Sequence, residues 1–496
     1  MSRQDVVVIG AGVAGLVAAL ELARRGLAVT LTERAGTPGG KLREVHVAGL
    51  RLDAGPTVFT LREVFEDIFD AAGSDFATHV GTREVEVLAR HAWSAGQHLD
   101  LHADVDRSAE AIGDFAGAAE ARRFIRFTRE AQTIYRTLDS SFMRAQRPGP
   151  LELARRAGVD ILRIRPFATM WQALGRHFRD PRLRQLFGRY ATYCGSSPFD
   201  APATLMLVAH VEQRGVWLIE GGMYRLAEAL AALCVRHGVQ FRYGEHVSEI
   251  TLKGDHVSGV RLASGEWLAA RTVVANADVA ALPAGHFGDD VRGATAAVEP
   301  AARSLSAVTW NLVAATEGFP LVRHNVFFSA DYRAEFDDLQ RHRRLPRAPT
   351  VYVCAQDRGD APPSSPLPAE RLLCLVNAPA DGDRRLAHPG EIERCAHLAF
   401  RQMAHCGLHI DRRASACVTT TPEDFNRMFP ATGGALYGEA SHGWRAAFRR
   451  PGARSRVPGL YLAGGSAHPG PGLPMAALSG RLAADCILRD RTETRA

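Results

Sequence analysis

The sequence predicts an α/β fold, a parallel sheet wrapped by helices, and three observations predict it. A short β-branched run at residues 5–9 (DVVVI) passes through Gly10-Ala11-Gly12-Val13-Ala14-Gly15 into an apolar helical stretch, residues 16–23. A second strand, residues 28–32, follows Gly26 and is closed by Glu33. Far along the chain, residues 459–475 repeat the order: a buried strand, a glycine–proline loop, then a helix at 476–488. Short apolar runs alternating with helical periods mark βα units and a parallel sheet.

Each element has a physical reason. Apart from Asp5, residues 5–9 are wholly apolar but too short for a helix, which makes them a buried strand. Gly10 permits the tight turn, Gly12 lets the backbone approach a pyrophosphate, and Gly15 lets the helix pack on the strand. The helix then offers free N–H groups and its positive dipole end to phosphates. Glu33 stands about 20 residues beyond the last glycine, where this fingerprint places an acceptor for ribose hydroxyls. Its charge disfavours a 2′-phosphate. The reading is a Rossmann-like dinucleotide site; the alternative is a glycine-rich turn without a ligand.

Gly36-Thr37-Pro38-Gly39-Gly40-Lys41 and Asp53-Ala54-Gly55-Pro56-Thr57 follow the second strand. A second glycine turn carrying a cation is a clamp for phosphate or ribose, or else Lys41 is a solvated loop lysine. Residues 106–190 read as mostly helical, with Arg122, Arg123, Arg126, Arg129, Arg155, Arg156, Arg163 and Arg165 among apolar positions. Such a face rests on anionic lipid or is simply solvated. Glu220-Gly221-Gly222-Met223-Tyr224-Arg225 precedes a helix at 226–237 and a strand at 239–243. Alternating strands at 247–252, 257–262 and 267–270 lead to a buried strand in Arg271-Thr272-Val273-Val274-Ala275-Asn276-Ala277-Asp278. Residues 285–425 mix strands (307–313, 351–355, 372–376) with a helix near 391–405, and 358–370 is a proline-rich loop.

Composition excludes whole classes. At 496 residues, 46% hydrophobic and 23% charged, the chain buries a large core and needs neither disulfide nor metal; at about 150 residues per domain, roughly three domains are expected. The net charge of +6 is almost all arginine, with lysine only at Lys41 and Lys253, and no zinc-finger spacing or RNP-like box accompanies it, so no nucleic-acid partner is expected. Eight cysteines include no C-x-x-C and read as free thiols in a reducing compartment. No leader pattern and no apolar run of about 18 residues occurs, so a cytoplasmic or membrane-surface protein is expected. There is no G-x-S-x-G, H-E-x-x-H or P-loop. A redox cofactor with few obvious catalytic side chains suits chemistry that the cofactor itself supplies.

The Glu33-Arg34…Gly40-Lys41 segment and the block from Gly459 to Met475, with His468-Pro469-Gly470-Pro471-Gly472-Leu473-Pro474-Met475, resemble the FAD-binding parts of the amine oxidase and phytoene desaturase superfamily. Arg189-Tyr190-Ala191-Thr192-Tyr193 and Ala209-His210-Val211-Glu212-Gln213 extend the resemblance to the CrtI-type carotenoid desaturases. Pro471, where phytoene desaturases commonly carry a small residue, turns it toward the 1-hydroxycarotenoid 3,4-desaturase branch (the methoxyneurosporene dehydrogenase type) of purple photosynthetic bacteria.

The resemblance implies a Rossmann-like FAD-binding domain of the GR2-type flavoproteins, a mixed-sheet substrate domain and a helical membrane-facing subdomain. The FAD domain would be drawn from residues 1–75, 216–284 and 426–496, the mainly helical membrane-facing region from 76–215, and the substrate domain from 285–425. Implied FAD contacts are Gly10, Gly12, Ala14, Gly15, Glu33 and Arg34, then Gly40, Lys41, Gly55 and Pro56. Val247, Gly465, Gly472, Leu473, Pro474 and Met475 complete the set; Val247 would pack on the adenine or is a plain core strand residue. No metal is expected. The implied reaction passes a hydride from the allylic carbon of an acyclic carotenoid to the flavin and loses a proton from the neighbouring carbon, creating the C3–C4 double bond. Because the conjugated chain stabilises the charge, no strong base is required. Tyr190, Tyr193 and His468 are candidates as proton acceptors or 1-hydroxyl contacts, against the readings of packed tyrosines and a plain loop histidine. A membrane surface is the expected partner at the inner or photosynthetic membrane, with oxygen or a quinone as electron acceptor. Phytoene desaturation, another oxidase activity of the superfamily, and a non-catalytic prenyl- or lipid-binding protein on the same fold are the alternatives.

Overall fold

The computed structural model describes residues 5–158, 164–165, 167–359, 369–384, 388–412 and 415–493. Its nucleus is a five-stranded sheet in the order Gln240–Tyr243, Val29–Glu33, Val6–Ile9, Thr272–Ala275 and Leu460–Leu462, every pairing parallel. Strands buried on both faces need apolar residues at every position, which VVVI, TVVA and LYL supply. Alternation sorts them. Val6, Val8, Leu31, Val274 and Tyr461 join the large cluster under the helices Val13–Ala23, Arg225–Arg236 and Leu473–Glu493. Val7, Ile9, Val273, Ala275, Leu460 and Leu462 face a three-stranded antiparallel meander, Val247–Lys253, His256–Leu262 and Trp267–Ala269.

The second body is a seven-stranded mixed sheet: Ala416–Thr420, Ser306–Ala314, Glu370–Ala378, Val351–Ala355, His324–Phe327, Val87–Ser94 and Gln97–His102. The helix Pro389–His405 buries Cys395, Ala396, Ala399 and Met403 against it. Two of its strands come from residues 87–102, inside the stretch the sequence marked as mainly helical. Their apolar alternation is broken by register shifts between Val87 and Ala89 and between Ala92 and Ser94, and their place is set by a parallel partner far along the chain, Asn325 to Phe327. Helices fill much of the remaining described stretch, from Val105–Ala116 and Ala118–Leu138 to Pro181–Gly188 and Leu207–Gln213, beside the further short strand Thr82–Glu84.

Asp53 joins the two bodies. Its carboxylate accepts the N–H groups of Met223 (2.9 Å) and Tyr224 (3.3 Å). Its backbone exchanges two hydrogen bonds of 2.9 Å with the Gln356 amide, and its carbonyl also accepts from Asn311 at 3.0 Å. Gly222, at φ +98°, leaves the room this needs, since a Cβ there would meet both Asp53 carboxylate oxygens at 3.2 Å. The eight cysteines are free. Among the described residues no metal-binding cluster occurs, and no helix is long and apolar enough to cross a membrane. Arg163 and most of the proline-rich loop lie outside the described residues.

Candidate functional site

A cavity of about 530 Å³ opens at the carboxyl ends of the parallel strands and runs toward the mixed sheet, the place where open α/β sheets bind ligands. Gly10, at φ +98°, turns the chain there and donates its N–H to the Thr32 carbonyl at 2.7 Å. A Cβ on Gly12 would stand 2.7 Å from Asn276 Oδ1, and one on Gly15 would stand 2.1 Å from the Gly10 carbonyl oxygen. Gly15 is therefore the helix–strand contact and does not line the cavity, whereas Gly10, Gly12 and Ala14 do. The helix Val13–Ala23 begins without a side-chain cap, so its first N–H groups stay available.

Glu33 ends its strand on the cavity wall and accepts the N–H groups of Ala11 and Ala35, both at 2.8 Å. Arg34 donates to the carbonyls of Arg427 and Met428. Gly39 donates to the Ala11 carbonyl at 2.8 Å, laying the second glycine turn against the first. Gly40 and Lys41 line the cavity beside it. Lys41 is no solvated loop residue: Nζ donates to the Leu436 carbonyl at 2.7 Å and sits over the Phe429 ring. Burial pulls its pKa down, with Asp278 pulling it back up.

Gly55, Pro56 and Val247 line the same space, as do Gly465, Gly472, Leu473 and Pro474; Met475 packs away into the helical core. The loop carrying Gly465 is held by Arg450, whose buried guanidinium donates to the carbonyls of Tyr437 (3.0 Å), Gly465 (3.1 Å) and Glu439. Two residues of the wall were not foreseen. Asn276 donates Nδ2 to the Ala463 carbonyl at 2.9 Å and leaves Oδ1 buried without a partner, and Asp278 leaves Oδ2 in the same state. The signal was present in the Asn276-Ala277-Asp278 run, which follows a buried strand as the glycine fingerprint does. Buried polar atoms without partners are rare. Two of them beside a cradle too narrow for any side chain fit FAD laid across the sheet ends.

Beyond the glycine loops the wall is formed by Arg189, Tyr193, Glu212, Tyr332, Glu335 and Tyr352. Glu212 accepts the hydroxyls of Tyr190 (2.6 Å) and Tyr193 (2.5 Å). Burial first, then the carboxylate, raises both tyrosine pKa values, and burial raises that of Glu212. Tyr193 reaches the cavity; Tyr190 is buried behind it, its hydroxyl committed to Glu212. His468 is also off the cavity wall: Nε2 lies 2.9 Å from the Ala145 carbonyl and 3.1 Å from that of Phe142, and burial lowers its pKa to about 4.

This arrangement defines a flavoprotein oxidoreductase whose glycine-loop cradle opens into a larger walled cavity. Comparison with known proteins agrees: the family described as flavin containing amine oxidoreductase matches residues 13–488. A hydroxyneurosporene desaturase of Rubrivivax gelatinosus is 56% identical over 97% of this chain and 93% of its own length. One of Cereibacter sphaeroides is 45% identical over 98% and 97%. The fold is shared with an oxidoreductase from Methanosarcina mazei at a TM-score of 0.60 and 15% identity, covering 98% of this chain and 100% of the other. The chain belongs to the flavin-containing amine oxidoreductase family and, within it, to the CrtI-type carotenoid desaturases. It is an FAD-dependent oxidoreductase.

Proposed function

We propose that this enzyme introduces the C3–C4 double bond into 1-hydroxylated acyclic carotenoids. The observation that carries this reading is one continuous cavity in which the dinucleotide cradle meets a largely apolar wall, including Val58, Val208, Val211, Leu373 and Leu375, interrupted by one compact polar cluster. The names of the relatives, hydroxyneurosporene desaturase above all, support the same substrate class.

FAD, when bound, supplies the hydride acceptor. In this reading the N–H groups at the start of Val13–Ala23 and the Gly10–Gly12 backbone take the pyrophosphate. Glu33 then accepts from ribose hydroxyls, Val247 packs on the adenine, and Lys41 closes the cleft through Leu436. Gly465, Gly472, Leu473 and Pro474 carry the opposite wall of the cofactor cleft. The apolar wall keeps water from the substrate while its conjugated chain spreads the developing charge, so Tyr193 need only share a hydrogen bond there. Membrane contact is assigned to the surface around Leu151, Phe167 and Trp444. Leu151 (87% exposed), Phe167 (77%) and Trp444 (37%) stand out there beside exposed Arg155 and Arg156, a mixture of apolar and cationic side chains suited to an anionic lipid surface.

Lipid-dispersed, FAD-loaded enzyme incubated with 1-hydroxyneurosporene and, separately, with phytoene tests the reading. A product with longer-wavelength absorbance is expected from the hydroxylated substrate. Such a product from phytoene alone overturns the proposal and leaves phytoene desaturation in its place.

A further inference from the structure

The two stretches 189–193 and 209–213 meet in the cavity wall through Glu212, which has both carboxylate oxygens filled by Tyr190 and Tyr193. Arg189 has no such partner. Its guanidinium makes one long hydrogen bond, 3.4 Å to the Tyr193 hydroxyl, and lies over the rings of Tyr193 (5.2 Å) and Tyr352 (5.4 Å). No ion pair holds it among the described residues. A guanidinium has five N–H donors, so most of those on Arg189 remain unused on the wall of a largely apolar space. Burial pulls its pKa down, but nearby Tyr193 and Glu212 outweigh that and hold it above the ordinary value, so it stays charged.

The pattern of donors and acceptors selects a ligand class. Both tyrosine hydroxyls spend their protons on Glu212, so Tyr193 offers its oxygen only as an acceptor, while Arg189 offers only donors. An alcohol oxygen both accepts and donates and matches this pair. A carboxylate would face the Glu212 charge, and a bare hydrocarbon end would strip water from Arg189 and give nothing back. Glu335, the other carboxyl named in the wall beyond the glycine loops, offers no comparable site, because Thr350 occupies both its oxygens (3.1 and 2.6 Å).

Position agrees with chemistry. Tyr352, beneath Arg189, shares a 2.7 Å hydrogen bond with Thr57, which directly follows Gly55-Pro56 on the cofactor side of the cavity. In the proposed substrate the carbinol carbon C1 is separated from C3 by C2 alone. A hydroxyl held at Arg189 therefore sets the C3–C4 bond close to the Gly55–Thr57 wall.

We propose that Arg189, steadied by Tyr193 and the Tyr190–Glu212 pair, is the recognition point for the C1 hydroxyl and decides which end of the polyene enters the site. This rests on the substrate class argued above. A site built to bind a hydroxyl rejects an analogue without it, because its buried donors are left unpaired.

The test compares kcat/KM for 1-hydroxyneurosporene and neurosporene in phosphatidylcholine vesicles, using the FAD-loaded full chain as wild type and as Arg189→Met. Wild type is expected to favour the hydroxylated substrate, and Arg189→Met, still holding FAD, to lose that preference by roughly 10- to 150-fold, as for a hydrogen bond to a charged group. Retention of the wild-type ratio by the flavin-loaded variant overturns the assignment and leaves the reaction standing. Should the variant not hold FAD, binding to wild type decides, read by quenching of intrinsic fluorescence: equal affinity for the two carotenoids overturns the assignment, and tighter binding of the hydroxylated one, by about tenfold or more, supports it. A wild type that converts phytoene and neither neurosporene overturns the reaction itself and the assignment with it.

Discussion

Glu335 reaches the cavity from the helix Tyr332–Gln340, and among the described residues no cation is paired with it. Burial pushes its pKa up to about 7, against the two hydrogen bonds from Thr350 that favour the charged form. Between its ordinary value near 4.5 and the folded value, the folded protein keeps a proton that the unfolded chain releases. Stability is therefore fully present below about pH 4.5, declines as the pH rises toward 7, and is level above it. Glu335→Gln removes this titration with little change of shape. The variant is expected to melt with the wild type near pH 4 and above it near pH 8, by a margin worth at most about 3 kcal/mol. Equal melting temperatures at both pH values would refute the buried charge. At this scale the sequence was legible where backbone geometry dictates the residue, as at Gly10, Gly12 and Gly15. It was silent where a role arises from partners distant in the chain: nothing in the neighbours of Arg189 reveals that its tyrosine is held by Glu212.

Among the elements, the helix Leu473–Glu493 lies against Val13–Ala23 so closely that a Cβ on Gly480 would stand 2.4 Å from the Ala14 carbonyl oxygen. Both helices line the cavity with their first turns, through Val13 and Ala14 and through Leu473 and Pro474, so their separation sets the width of the cleft. Gly480→Ala is expected to widen it, lowering stability by about 1–3 kcal/mol, the usual cost of overpacking, and reducing the flavin absorbance that co-purifies with the protein. Unchanged flavin content and melting temperature would mean the helices yield without consequence. Elements with strong local signals were legible: the first βα unit, the meander and the C-terminal block stand where the sequence placed them. The strands Val87–Ser94 and Gln97–His102 were not, because bulges break their alternation and their partner His324–Phe327 is remote.

Across the molecule, the parallel-sheet body and the mixed-sheet body are joined at Asp53. Gln356→Leu would remove two of the hydrogen bonds there and leave the buried Asp53 N–H unpaired, a cost of about 1–3 kcal/mol. A lower melting temperature with a fall in kcat/KM is expected, measured by thermal unfolding and steady-state turnover. Wild-type values for both would show that the two bodies are held together elsewhere.

The five-stranded sheet carries one further consequence, for how the protein is made. Of its strands the central one, Val6–Ile9, is synthesised before the other four, and the edge strand Leu460–Leu462 after them. Domains generally fold as units and from the N-terminus during synthesis, yet here Val6–Ile9 lacks its neighbour Thr272–Ala275 until the long stretch between them has followed. The far wall of the cleft arrives only with residues 464–474. Until Leu460–Leu462 and the helix Leu473–Glu493 dock, the nascent protein carries an open parallel edge and an unfinished cleft, so a dinucleotide is expected to be captured only after those residues have been made.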